Sequence, residues 1–430
     1  MKKPIKLLLL VPTLLLAGCN FQFKYIVPGL NDGTSIDDDD GIDDGGTYSL
    51  KIWVADKLVG LTKSQIANFV ANNNGKYTIN ATVEPVSEGD AATNMLQDVR
   101  SGADIFCFAQ DQLASLKVAN AITKLEGTIG DKVIEMNSSD SITAATINNS
   151  LYAMPMTSDN GYFLFYDKSF YSESDVTNMS TMITKAKNAK RRIYFAASKN
   201  GFYGASYFIA MKCTSKWTLD DKTGAFIDYK DNYNTESGLV AAKGFKELTD
   251  TSVVIPSINV TAFSPKEKNQ AAAVISGIWD YEAAKKQLGD NLGCAELPYF
   301  TVDGQSYHLG SFDGYKLLGV KPQQDAKRAS VCRKLALYLS GEECQGERFD
   351  EVSWGPTNIE ASKNPLIKDH PALNALIAQH KYAIPQEACP GDWFSTLSAM
   401  TQTIKVNSSD AEIKAMLDTY ESTLKTLLTE

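Results

Sequence analysis

The chain has 430 residues, with 51 acidic against 42 basic side chains and a formal charge of −9. That balance opposes binding to a phosphate backbone, and no basic, aromatic-interleaved stripe offsets it, so nucleic acid is excluded as a partner. The length exceeds what a single hydrophobic core supports, which predicts two lobes.

The first segment is MKKPIKLLLLVPTLLLAGCN, in which Lys2, Lys3 and Lys6 precede an apolar run from Leu7 to Ala17. That run is shorter than the roughly 20 residues of a membrane span, so it reads as a secretory signal. Its end, Leu16-Ala17-Gly18-Cys19, resembles the lipobox of bacterial lipoproteins. The resemblance implies a signal peptide over 1–18, cleavage before Cys19 and lipid attachment to its sulfur. The mature protein would then sit on the outer face of the bacterial cell membrane. Cleavage removes three lysines and takes the formal charge from −9 to −12. Residues 19–47 hold NDGTSIDDDDGIDDGG and read as a flexible acidic tether, because like charges repel and glycine bends freely. A calcium loop fits poorly, since its spacing needs an acid at Ile36 and Thr47 stands where the bidentate Glu belongs.

Strand and helix signals then alternate. Leu50–Val54 is β-rich. A helix follows, with Thr62 as its N-cap, Ile66, Phe69 and Val70 facing inward, and Gly75 at its end. Tyr77, Ile79, Ala81 and Val83 alternate inward along a strand. Asp90 caps a helix carrying Met95, Leu96 and Val99, stopped at Gly102. Ala103–Ala109 reads as a strand, continuously apolar over Ile105-Phe106-Cys107-Phe108 as one covered on both faces would be, and Asp111 could start the next helix. The second half repeats this grammar, with strands at Tyr162–Tyr166, Arg192–Ala197 and Ala271–Ser276. Helices are predicted at Tyr203–Met211, Ser237–Leu248, Asp325–Leu339, Pro371–His380, Gly391–Ile404 and Asp410–Leu428. The run Lys187–Arg192 reads as an exposed helix face. The fold class is therefore α/β, each lobe a mostly parallel sheet with flanking helices. In such sheets ligands bind beyond the carboxyl ends of strands. Asp56-Lys57, Phe108–Gln112 and Trp279 stand at such ends.

Six cysteines follow the lipobox: Cys107, Cys213, Cys294, Cys332, Cys344 and Cys389. An extracellular site permits disulfides, but the spacing holds no C-x-x-C pair, and buried free thiols are expected. His308, His370 and His380 lie at no ligand spacing from a Cys, so neither a metal nor a cofactor is expected.

The ordered set IWVADK, SGADIFCFAQDQLASL, LYAMPMTSDNGYFLFYDKSF, AAAVISGIWDYEAAKK, LPYFTVDGQSYHLGSFDGYKLLGV and GDWFSTLSAM resembles the maltose-binding protein family, the sugar receptors of ABC importers. The likeness runs from Leu50 to Glu430. It implies a two-lobed, type II periplasmic-binding-protein-like fold: a first lobe of 48–158 plus 312–361, and a second of 159–311 plus 362–430. Chain crossings are placed near Thr157–Gly161, Gly310–Gly314 and Glu360–Asn364. Carried over by position, the ligand-facing residues are Asp56, Lys57, Phe108, Asp111, Gln112 and Asp159. The other lobe adds Phe202, Trp279, Trp393 and Phe394. Implied partners are an oligosaccharide, of maltodextrin type by preference, and the permease subunits of an importer; a monomer is expected. Departures are Phe108 for a common Trp, Gln112 for an Arg, Asp159 for a longer acid and Asn200 at another acid position.

Plainer roles stand beside these. Asp111 could be a helix cap, Asp56-Lys57 a solvated turn, and Trp279 a core anchor. Trp53, Trp217 and Trp354 read as packing. An extracellular glycoside hydrolase would need two carboxyls roughly 5–9.5 Å apart; Asp56, Asp111 and Asp159 qualify by type, but no nucleophile or metalloprotease signature accompanies them. A receptor of the same fold for a peptide or polyamine could also use rings and acids.

Overall fold

A computed structural model describes residues 44–220, 225–250 and 252–428; the signal segment, Cys19 and most of the acidic tether lie outside the described residues. Asp44 already belongs to the fold. Its carboxylate is fully buried, ion-paired to Lys76 at 2.8 Å and Lys334 at 2.9 Å, and accepts hydrogen bonds from Ser330 at 2.9 Å and Tyr77 at 3.1 Å. Burial opposes its charge, but these donors outweigh it and hold the pKa down to about 2. The strand Gly46–Val54 follows at once, so the folded framework starts before the expected tether end at Thr47.

The first sheet has the strand order Tyr77–Pro85, Gly46–Val54, Ile105–Ala109, Lys316–Val320, Ala153–Thr157. The first three are parallel, and Lys316–Val320 runs antiparallel to both its neighbours. All five residues of Ile105–Ala109 are buried, as a strand covered on both faces requires. The second sheet has the order Val254–Ile255, Arg192–Tyr194, Ala271–Ser276, Phe163–Asp167, Leu292–Ala295, and its last two strands enter antiparallel. Alternation divides its strand Phe163–Asp167 cleanly. Phe163 and Phe165 join one apolar cluster, while Tyr162, Leu164 and Tyr166 join another. Each such buried large side chain stabilises by about 1.5–3 kcal/mol. The chain passes from the first sheet to the second between Thr157 and Phe163.

Several expected boundaries moved. The first helix is Val59–Asn72, preceded by a 3-10 turn, so Thr62 is a buried interior residue rather than its cap. The helix after Asp90 covers only Ala91–Gln97; Leu96 is exposed and Val99 lies beyond it. The helix through Lys187 ends at Asn188, and Arg191 instead turns inward to pair with Asp167 at 2.9 Å. The span Arg192–Ala197 is strand only to Tyr194. By contrast, Pro371–His380 is helical over its expected length, with Pro371 at the first turn where its missing N–H costs nothing.

Candidate functional site: an edge of alternating charge facing a cluster of rings

The carboxyl ends of four strands of the first sheet and the amino end of its antiparallel strand share one edge, because Lys316 pairs with both Ala109 and Thr157. Taken in sheet order, the side chains just past that edge are Glu88, Lys57, Asp111, Lys316 and Asp159. Acid and base alternate along it.

Lys316 is the centre of this row. It is 3 % exposed, its Nζ lies 3.3 Å from Asp159 Oδ1, and it stands over two indole rings, 3.7 Å from the Trp354 centroid and 5.1 Å from that of Trp279. Asp159 also accepts from the Thr157 hydroxyl and the Gly355 N–H, each at 2.7 Å. Its carboxylate is thus fully committed to the protein, tying the first crossing to the Trp354 loop. Lys57 donates to the Trp279 carbonyl at 2.7 Å, a bond between the lobes, and lies 5.1 Å from the Trp354 ring centre. Solvent still reaches Lys57, but the protein packed around its ammonium, followed by the like charge of Lys316, pushes its pKa down to about 8.

Among the described residues, three buried polar atoms here have no partner: Glu88 Oε1, Asp111 Oδ1 and Trp354 Nε1. Burial raises the Glu88 pKa against the pull of Lys316 and Lys57. Burial pushes Asp111 up to about 7, and its charge in turn raises the buried Cys389 thiol beyond what burial alone does. Asp111 is not a helix cap: it sits in a 3-10 turn, Gln110–Gln112, whose start has no side-chain cap.

The other expected contacts divide. Phe108 does not line a cleft; it is fully buried beside Phe106, 5.5 Å between centroids, because alternate residues of a strand share a face. Gln112 accepts from the Ala92 N–H at 3.1 Å and donates to the Gly89 carbonyl at 2.6 Å, so it holds the start of the preceding helix, Ala91–Gln97. Asp56 is exposed at the head of the 3-10 turn Asp56–Leu58. From the second lobe, Trp279 is half-buried and packs against both apolar clusters. Phe202 stacks on Phe312 at 5.4 Å and meets Phe394 edge-on at 5.9 Å, and Phe394 lies 4.9 Å from Trp393. Trp393 is largely a core anchor, buried with its Nε1 donating to the Tyr420 hydroxyl at 3.0 Å. Its ring nonetheless walls a pocket with Phe312, Gln386, Cys389 and Phe394.

That pocket holds about 130 Å³, below the roughly 300 Å³ at which ligand sites usually begin. Beside it, Gln110 Nε2 donates to the Gln386 carbonyl at 2.6 Å and Asn160 Nδ2 to the Gln386 amide oxygen at 2.8 Å.

Glu88 and Lys316 escaped the sequence reading, and Trp354 was read only as packing. The signal for Glu88 was present, because it follows a strand at the same edge as Asp56. Lys316 opens an antiparallel strand and Trp354 a loop, and neither position belongs to the strand-end rule.

The family model for bacterial extracellular solute-binding proteins matches residues 64–375. A galactooligosaccharide-binding protein of Bacillus subtilis is 22 % identical over 392 residues, covering 87 % of this chain and 88 % of its own. A maltotriose-binding protein of Pyrococcus abyssi is 22 % identical over 331 residues, covering 74 % and 69 %. The solved maltodextrin-binding protein of L. casei BL23 superposes with a TM-score of 0.71 at 20 % identity, covering 90 % of this chain and 100 % of its own.

Proposed function

The chain belongs to the bacterial extracellular solute-binding proteins, and we propose that it captures an oligosaccharide between its lobes and delivers it to an ABC importer. The observation that carries this is the pairing of an edge of alternating hydrogen-bonding charges with a cluster of rings. A pyranose has apolar C–H faces that lie on aromatics and hydroxyl edges that both donate and accept. Charged partners make such bonds about twice as strong as neutral ones. The named relatives bind galacto-oligosaccharide, maltotriose and maltodextrin, which supports a saccharide and leaves maltodextrin the favoured type.

The mechanism is hinged closure. Sugar bonded to both faces favours the closed state by its differential affinity for it. The closed surfaces would then be what the permease reads. Two observations weigh against the other readings. The faces of Trp279 and Trp354 already hold the Lys316 ammonium, so a cationic peptide or polyamine finds that aromatic box filled. Asp159 has its oxygens taken by Lys316, Thr157 and Gly355, so it is a poor proton donor or nucleophile for a hydrolase.

Calorimetry with maltose, maltotriose and longer glucans, beside xylo- and galacto-oligosaccharides, tests the reading. One-to-one saturable binding near micromolar, about −8 kcal/mol, is the expected result. Turnover of maltodextrin on incubation would move the protein to the hydrolases. We place the lipid anchor at Cys19; loss of acyl labelling and release from the membrane in Cys19→Ser is the expected check.

A further inference from the structure

Of the rings Phe202, Phe312, Trp393 and Phe394, three are phenylalanines and Trp393 alone carries a polar atom. Its Nε1 donates to the Tyr420 hydroxyl at 3.0 Å, and that hydroxyl donates to Asp231 Oδ2 at 3.1 Å. Chemistry fixes the direction of this chain. An indole N–H can only donate and an ionised carboxylate can only accept, so the phenol takes one bond and gives the other. Asp231 Oδ1 accepts from the Tyr233 N–H at 2.9 Å, which anchors the far end to the backbone. The Tyr233 ring meets Trp393 edge-on at 6.5 Å and lies 5.4 Å from that of Tyr420. Trp393 and Tyr420 are buried and Asp231 is half-buried. The same indole lines the pocket described above, and so does Ser215, which pairs with Asp231 across the two-stranded ribbon Ser215–Leu219 and Phe226–Asp231. Tyr420 and Asp231 thus join two parts of the pocket's lining while belonging to neither. Because its N–H is committed to Tyr420, Trp393 gives the pocket ring carbon: a surface for C–H groups rather than a donor for a hydroxyl.

We propose that Tyr420 and Asp231 are positioning residues for sugar capture, holding the Trp393 ring in the orientation that offers an apolar surface to the C–H face of a pyranose; this rests on the oligosaccharide reading above. Neither residue touches the ligand. Without the Tyr420 hydroxyl the indole N–H is buried and unpaired, which is costly. The ring is then driven to turn towards another acceptor, and the apolar surface is lost with it. Asp231 acts at one remove. Its charge strengthens the bond it accepts and polarises the hydroxyl to accept more strongly from the indole. Burial pushes the Asp231 pKa up to about 6 against the pull of the Tyr233 N–H and the Tyr420 hydroxyl, and the charge of Glu421 adds to the rise. The positioning is therefore strongest above that pH and weakens as Asp231 takes up a proton. The other titratable groups around it, Cys213, Tyr229, Tyr233 and Tyr420, all have raised pKa values and stay neutral at physiological pH.

The test has a ligand-free arm and a binding arm. In the first, tryptophan is replaced by 5-fluorotryptophan, and the Trp393 line in the fluorine NMR spectrum is assigned by its absence in W393F. That line is expected to shift through a step at pH about 6 in the wild type, a step that D231N lacks. Asp111, with a pKa of about 7 and acting on the Cys389 thiol of the same pocket, moves the line equally in both proteins. In the second arm, calorimetry measures maltotriose and a galacto-oligosaccharide on wild type, Y420F and D231N. Each variant is expected to weaken binding about fivefold near pH 7.5. The D231N deficit is expected to vanish near pH 5, where the wild-type carboxyl is itself neutral; a deficit that stays constant with pH marks a merely structural role and overturns the proposal. D231N is close to isosteric at a half-buried position, so it decides the matter if Y420F fails to fold. A Trp393 line without the step, or with the same step in D231N, overturns the relay whatever the ligand. Wild-type binding to a sugar with D231N within twofold of it near pH 7.5 overturns the positioning role and leaves the receptor reading standing. Absence of wild-type binding to maltodextrins, galacto- and xylo-oligosaccharides alike overturns both.

Discussion

The two faces of the cleft are built on opposite principles. On the charged face, position is set by directional bonds: Asp159 is held by three partners, and Lys316 by an ion pair and two indoles. On the aromatic face, Phe202, Phe312, Trp393 and Phe394 hold one another by ring contacts at 4.9–6.1 Å. Charges buried in protein are unforgiving when a partner is lost, whereas rings of similar volume can replace each other. The charged face should therefore be brittle and specific, and the aromatic face tolerant and general.

The sharpest way to break that contrast is to remove one element from each face. Lys316→Met keeps the volume but leaves Asp159 buried without its cation, and should lower unfolding free energy by about 3–5 kcal/mol in a denaturant melt. Phe394→Leu should cost under about 1.5 kcal/mol. Equal losses would erase the distinction.

Asp111 sharpens it next. Its folded pKa of about 7 lies above the ordinary carboxyl value. The folded state therefore holds its proton more tightly than the unfolded chain does. Stability is unaffected below the unfolded pKa, falls as pH rises towards 7, and levels off above it. Asp111→Asn removes that cost. It should stabilise the protein by about 1–3 kcal/mol at pH 8, with the gain vanishing near pH 4. A constant difference across that range would show that ionisation is not what burial penalises.

On the ring face, Trp279→Ala should weaken sugar binding at least tenfold, about 1.4 kcal/mol, with the melting temperature nearly intact. A matching loss of folding would return Trp279 to the core. The smallest effect belongs to Lys57→Ala. It removes the bond to the Trp279 carbonyl and should shift the balance towards the open state by about 1 kcal/mol, read as a larger radius of gyration in small-angle scattering without ligand.

The periodic parts of the fold were legible. Tyr77 and Val83 are buried while Thr78, Asn80 and Thr82 are exposed, as the alternation predicts, and the buried runs at 105–109 and 271–276 are strands. Helix starts were less so, because a 3-10 turn precedes both Val59 and Leu113 and supplies the entry that a capping side chain would otherwise mark. The places of Trp279 and Asp111 just past strand ends could be read from the sequence. Phe108 could not be placed from resemblance alone, since a position at a strand end does not say which face the ring takes. Lys316 was hidden for a different reason. Its carboxylate partner is 157 residues away along the chain, and no local pattern announces a pairing of that span.

The six free thiols among the described residues carry one last consequence. Five are buried, Cys294 is half-buried, and burial raises the pKa of all six. Oxidants and disulfide exchange act on the thiolate, which the native molecule hardly presents. A member of an extracellular family meets an oxidising medium, so a molecule that opens fully would regain ordinary sulfur acidity and be captured in wrong crosslinks before it could refold. Its working lifetime is then governed by how seldom it unravels, a rate rather than an equilibrium.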